Sequence, residues 1–158
     1  MSGFCIRPAR PGDAGAILGL IKELAEYENL ADRVEATEQG LAEQLFEKKS
    51  AEVLIAEYEE TPIGYALFFG SFSTFLGKPG VYLEDIYIRP EYRGNGYGRA
   101  MLKRLAKLGL ERGCGRLEWA CLDWNRPSID FYLSLGAEPM TGWTTYRLSG
   151  KELEKLAE

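Results

Sequence analysis

The run Arg93-Gly94-Asn95-Gly96-Tyr97-Gly98 constrains the fold more than any other stretch of this 158-residue chain. Val81 to Ile88 before it reads as a strand, rich in branched and aromatic side chains. Arg99 to Arg112 after it has helical periodicity through Leu102, Leu105, Ala106 and Leu108, with Gly113 placed to end the helix. A glycine turn between strand and helix offers unpaired N–H groups and about half an elementary positive charge, and glycines let an anion approach the backbone closely. A pyrophosphate can therefore bind through the main chain, with Arg93 and Arg99 adding charge. A P-loop is excluded because Gly98 is followed by Arg99 and Ala100 rather than Lys and Ser or Thr. A dinucleotide fingerprint counted from Gly94 and Gly96 puts Arg99 where its third glycine belongs. The pattern Arg/Gln-x-x-Gly-x-Gly/Ala is met by Arg93, Gly96 and Gly98. A ligand-free strand-to-helix turn is the alternative.

The neighbouring segments supply the rest of the fold. Phe4 to Arg7 reads as a first strand, followed by a helix that ends near Tyr27 to Asn29 and lines one face with Ile17, Leu18, Ile21, Leu24 and Ala25. Thr37 is placed to cap a second helix carrying Leu41 and Leu45 inward. Glu52 to Tyr58 and Ile63 to Phe69 form a hairpin, and Val81 to Ile88 follows the Gly77-Lys78-Pro79-Gly80 turn. Beyond the long helix come a strand from Leu117 to Leu122, a short helix opened by Pro127, a last strand from Trp143 to Leu148 and a helix from Lys151 to Ala157. The order β-α-α-β-β-β-α-β-α-β implies an α+β or mixed α/β domain with antiparallel pairs early and a crossover later. Without a linker or repeat, residues 1–158 read as one domain.

Composition narrows the chemistry. The chain has no histidine, which excludes Ser-His-Asp and Cys-His catalysis and most zinc or non-haem iron sites. Cys5, Cys114 and Cys121 are odd in number and lack Cys-x-x-Cys spacing, so reduced structural thiols and no metal are expected. No segment resembles a leader or a membrane span, and a cytoplasmic location is the expectation. A net charge of −5 argues against nucleic acid as a partner and suits a cationic substrate.

The glycine loop resembles the pyrophosphate loop of GNAT acetyltransferases, and the resemblance extends along nearly the whole chain. Ile21 to Glu28, Tyr82 to Ile88, Asp123 to Ser128, and Phe131-Tyr132 followed by Leu135-Gly136-Ala137 are similar to the spermidine/spermine and thialysine acetyltransferases of that superfamily. The resemblance implies the GNAT fold, a central, mostly antiparallel twisted sheet flanked by helices. It implies acetyl-CoA as co-substrate and a homodimer. Its cofactor contacts fall on Ile86, Tyr87 and Ile88, on Arg93, Gly94, Asn95, Gly96, Tyr97, Gly98 and Arg99, and on Asn125, Arg126, Pro127 and Ser128. Substrate positions fall on Tyr27, Glu28, Glu84, Glu118, Trp119 and Ala120. The Glu57 to Pro62 turn and the Glu118 to Cys121 segment depart from the vertebrate polyamine enzymes, which leaves the choice of amine open.

Two proton problems define the catalytic residues. An alkylammonium with a pKa near ~10.4 must lose its proton before it attacks, which at pH 7 costs roughly 4.6 kcal/mol. The resemblance gives that task to Glu84, directly or through water. Strict strand alternation puts Glu84 and Asp85 on opposite faces, so only one faces the site unless a bulge intervenes. The departing thiolate needs a donor still protonated at neutral pH, and a tyrosine near ~10 meets that need. The resemblance names Tyr132. Direct attack in a ternary complex is the expected reaction, acetylating a polyamine, diamine or thialysine-like amine; peptide acetylation and a non-catalytic acyl-CoA sensor are the alternatives.

Overall fold

The computed structural model describes residues 3–158. They fall into two compact units, one ending at Leu122 and one spanning Asp123–Glu158.

The first unit is built on a five-stranded sheet in the order β1-β2-β3-β4-β5, with β1 Phe4–Pro8, β2 Glu52–Tyr58, β3 Thr61–Ser73, β4 Lys78–Ile88 and β5 Leu117–Trp119. The first four strands pair antiparallel, and β5 runs parallel to β4. This is the expected mixed α+β architecture. The β3–β4 hairpin is longer than the sequence suggests, with both strands extending past Phe69 and Val81 to a turn at Ser73–Lys78.

Helix α1, Ala14–Tyr27, buries Ile17 and Leu20 against one face of the sheet, where Val53, Ile55, Tyr65 and Tyr87 meet it. Ile21 and Leu24 pack at the edge of this cluster. Leu20 is fully buried and Leu18 only half-buried, so the seam is rotated slightly from the sequence expectation. Thr37 caps α2, Glu38–Ala42, by accepting a hydrogen bond from the Gly40 N–H at 3.0 Å. A single π turn, Glu43–Glu47, continues α2 and buries Leu45 in the same cluster.

Helix α3, Tyr97–Glu111, lies on the other face, where a side chain on Gly109 would meet Val81. Met101, Leu102 and Leu105 are its buried residues together with Tyr97, whose ring stacks on Phe4 with centroids 3.9 Å apart.

The strand register shifts once inside the β3–β4 ladder. Leu67 pairs with Asp85 and Phe68 with Leu83, so Glu84 is the extra residue of a bulge. Alternation restarts there and brings Asp85 back to the α1 face beside Tyr65. β5 pairs only with Val81, Tyr82 and Leu83, so it stops where the bulge begins. The strand expected to reach Leu122 is therefore three residues long, and no strand pairs with the outer edge of β4 from Glu84 to Ile88 among the described residues.

The second unit holds α4, Arg126–Ser134, and α5, Gly150–Leu156. Both short helices were expected. The strand expected from Trp143 to Leu148 does not form, and its own unit holds only the two helices and no second strand to pair with it; Trp143 is 77% and Tyr146 91% exposed.

Candidate active site

Three elements of the first unit converge on one pocket of about 330 Å³. Glu28, which caps the C-terminal end of α1, supplies one carboxylate, and the β4 bulge supplies Glu84 and Asp85. Leu24, Leu30 and Val34 provide apolar wall. The volume lies at the small end of the usual range for ligand sites.

The acidic groups differ in environment. Asp85 is largely withdrawn from water, and burial pushes its carboxyl above the ordinary range, partly offset by the Tyr65 hydroxyl, which donates to Asp85 Oδ2 at 2.9 Å. Glu28 is also raised, first by burial and then by the like charge of Asp85. Tyr65 is fully buried, and its hydroxyl is held protonated by burial and by the adjacent carboxylate. Two partly desolvated carboxylates, the charge of Asp85 raising Glu28, are an unfavourable arrangement until a cation joins them. Glu84, at the bulge, is exposed on the rim of the same pocket.

The sequence named Glu28 and Glu84 but not Asp85 or Tyr65. The missing signal was the bulge, which no local pattern announces and which turns Asp85 toward α1. Glu118 is bound by Arg116 at 2.9 Å, so its charge is already answered. Trp119 ends β5, and Ala120 follows it, exposed.

The expected cofactor side begins at the open β4 edge of Ile86, Tyr87 and Ile88 and continues into the glycine loop. Gly94 and Gly96 have φ of 82° and 80°, a left-handed backbone that favours glycine. Gly98 is different. It sits in the first turn of α3 without a positive φ, and a Cβ there would meet nothing within 4 Å. Among the described residues nothing requires glycine at 98, whereas alanine would favour the helix by about 1 kcal/mol. A ligand approaching the backbone gives a reason for it, so the loop fits a pyrophosphate.

The loop is tied to α1. Arg89, which follows β4, grips Glu23 through Nε and Nη2 at 2.9 to 3.2 Å and donates to the Pro62 carbonyl. Tyr87 donates to the same Glu23 at 3.3 Å. The Arg93 Nε donates to the Ile88 carbonyl at 2.7 Å, and its guanidinium lies 5.2 and 5.4 Å from the ring centres of Tyr27 and Tyr87. Arg93 and Tyr27, named for cofactor and substrate, thus brace the loop against the helix that carries Glu28. Asn95 donates to the Tyr92 carbonyl, Tyr97 packs on Phe4, and Arg99 is exposed.

In the second unit, Asn125 is buried and caps α4, its Oδ1 accepting from the Ser128 N–H at 3.4 Å. Arg126 pairs with Asp130 on the exposed face, and Pro127 occupies the first turn, where its missing N–H costs nothing. Tyr132 lies in the last turns of α4, its ring 5.7 Å from that of Phe131. Among the described residues no cluster of three or more acidic or cysteine side chains is arranged to hold a metal, and no helix is long and apolar enough to cross a membrane.

Residues 19–137 match the family model described as Acetyltransferase (GNAT) family. The chain is 42% identical to thialysine N-epsilon-acetyltransferase of Bos taurus across 99% of both proteins. It is 30% identical to L-ornithine N5-acetyltransferase of Arabidopsis thaliana, covering 96% of this chain and 86% of that one. A solved integron cassette protein from V. cholerae superposes with a TM-score of 0.84 at 27% identity, covering 100% of this chain and 99% of that one. With its open-edged strand, its glycine loop and relatives this similar over their full length, the chain belongs to the GNAT family of acetyltransferases.

Proposed function

We propose that the chain acetylates the primary amine of a small substrate carrying a second cationic group, with acetyl-CoA as donor and the Glu28, Glu84 and Asp85 pocket as the amine site. The observation that carries this reading is the pair of partly buried carboxylates, Glu28 and Asp85, in a pocket of small-molecule size. A bound ammonium offsets both the burial and the mutual repulsion. Thialysine and ornithine, the amines in the relatives' names, each pair a terminal amine with a second one.

Acetyl-CoA supplies a thioester-activated acetyl group when bound; the residues around it manage binding and protons. Main-chain N–H groups from Gly94 to Arg99 receive the pyrophosphate, and Ile86 to Ile88 offer the unpaired β4 edge to the acyl arm. The family resemblance assigns Asn125 and the start of α4 to the cofactor as well. Asp85 and Glu28 hold the cation, while Glu84, on the wetter rim, takes the proton from the attacking ammonium directly or through water. On the family resemblance, Tyr132 is assigned as general acid for the leaving thiolate. Attack is direct, in a ternary complex. Assembly as a homodimer is supported by the exposure of Trp143 and Tyr146 in the isolated chain.

Thiol release measured over spermidine, putrescine, thialysine, lysine and a short peptide tests the reading. Turnover is expected on the free amines; turnover confined to the peptide, or acetyl-CoA binding with no turnover, would overturn it. Tyr132→Phe should lower kcat by ~10²-fold or more with acetyl-CoA affinity retained, as for loss of a general acid. Gly98→Leu tests the loop without imposing backbone strain: acetyl-CoA affinity should fall by at least about tenfold while the fold survives. An unchanged affinity would remove the pyrophosphate from the loop.

A further inference from the structure

In the proposed reaction the two substrates are held by different elements. The acetyl group belongs to the β4 edge that leads into the glycine loop, and the amine is held from the end of α1 by Glu28. The distance between the reacting atoms therefore depends on what fixes β4 to α1. Higher on the helix, Ile17 and Leu20 share an apolar cluster with Tyr65 and Tyr87. Nearer the pocket the joint is polar. Glu23 Oε1 accepts from the Tyr87 hydroxyl at 3.3 Å and from Arg89 Nε at 3.1 Å, and its Oε2 accepts from Arg89 Nη2 at 2.9 Å. One turn on, on the same face of the helix, Tyr27 meets the Arg93 guanidinium, which also lies over the Tyr87 ring. Glu23, Tyr87, Arg93 and Tyr27 thus close a ring, with two members on α1, one on the acyl edge and one on the glycine loop.

Glu23 does not line the amine pocket and belongs to neither the β4 edge nor the glycine loop. It nevertheless bonds the residues on either side of Ile88, whose carbonyl accepts from Arg93 at 2.7 Å. We infer that Glu23 is a positioning residue: through Tyr87 and Arg89 it fixes the acyl edge against the helix that bears Glu28, and so sets the approach of the amine to the acetyl carbon. This rests on acetyl-CoA lying along β4 and on the acidic pocket being the amine site. A carboxylate suits the task because the planar fork of Arg89 engages both its oxygens, which leaves the joint little freedom. Reacting atoms must come within about 3–3.5 Å, and a misplacement of ~1 Å costs ~10²-fold in rate. Loosening the joint by a fraction of that distance acts on the rate of transfer and leaves each substrate's own contacts in place.

Glu23→Gln keeps the shape of the side chain and removes the charge that holds Arg89, and Arg89→Met removes the other partner. Single-turnover acetyl transfer is measured with both substrates saturating, using the fastest of spermidine, putrescine, thialysine and lysine. Each variant should transfer about tenfold more slowly, with acetyl-CoA Kd and amine KM within about twofold of wild type. The double variant should be no slower than either single one, because residues that act through one contact are not additive. Glu23→Asp, which retains the charge one methylene short, should fall between wild type and Glu23→Gln, and it decides the matter if the other variants do not fold. A wild-type rate in Glu23→Gln or in Glu23→Asp, with only thermal stability reduced, would make Glu23 and Arg89 an ordinary ion pair and overturn the inference. A changed Kd or KM with an unchanged rate would make Glu23 a binding residue, and rate losses that multiply in the double variant would separate it from Arg89; either result overturns it too. Those outcomes leave the amine-site reading standing, whereas no turnover of any amine by the wild type would sink that reading and this inference with it.

Discussion

The two faces of the central sheet are built from the same strands and do different work. On the α3 side, Val81 meets the glycine notch of the helix, and Met101, Leu102 and Leu105 are buried without a polar atom among their side chains. On the α1 side the core includes Tyr65 and Tyr87, whose hydroxyls reach Asp85 and Glu23, and the packing opens into the acidic pocket. The difference arises from one inserted residue. Before Glu84, β4 alternates so that Val81 and Leu83 are buried; after it, Asp85 and Tyr87 point to α1. The bulge allows one strand to serve a dry scaffold and a polar site within eight residues, and it ends the pairing with β5 at the same place. Polar atoms in a core cost stability unless paired, so their concentration on one face marks where function is bought.

Core truncation on the scaffold side should give the largest effect. Leu105→Ala, at a fully buried position, should cost ~2–5 kcal/mol of unfolding free energy while leaving KM of the folded enzyme unchanged. Denaturant unfolding beside steady-state kinetics checks this, and a raised amine KM would break the separation of the faces. Tyr65→Phe should give the smaller and opposite signature, about 1 kcal/mol of stability and a shifted pH profile. The sign follows from the hydrogen bond: the hydroxyl favours the Asp85 carboxylate, so its removal lets burial raise that carboxyl further. More of Asp85 is then protonated at a given pH, and the acid limb of kcat/KM for a dication should move to higher pH while acetyl-CoA affinity holds. An unmoved limb would make Tyr65 ordinary packing.

Much of this was legible in the sequence, and the boundary has physical causes. Glu52–Tyr58 emerged as read, and Thr37 caps α2, because strand composition and capping chemistry are local. The loop from Arg93 to Gly98 was legible for the same reason: left-handed glycines at a helix start leave a short-range imprint. Asp85 and Tyr65 were not, since their meeting depends on a register shift between strands separated by a long hairpin. Glu118 illustrates the converse, a carboxylate with the right type and neighbourhood whose charge is taken by Arg116. The segment from Trp143 to Leu148 has strand-like composition, yet composition cannot supply a partner edge.

Asp85→Asn, followed by calorimetric titration of acetyl-CoA and by kcat/KM for the preferred amine, tests the division of labour most directly. The substitution should not unfold the protein. Burial raises the folded-state pKa of Asp85, so at pH values above the unfolded value near ~3.9 its ionised form weakens the fold, and a neutral amide of the same shape removes that cost. The expected result is unchanged acetyl-CoA affinity with a loss of about 10²-fold or more in kcat/KM for the amine, the order expected when one partner of a buried charge pair is removed. Amine kinetics indistinguishable from wild type, or acetyl-CoA affinity that falls in step with them, would contradict the assignment of the acidic pocket to the amine.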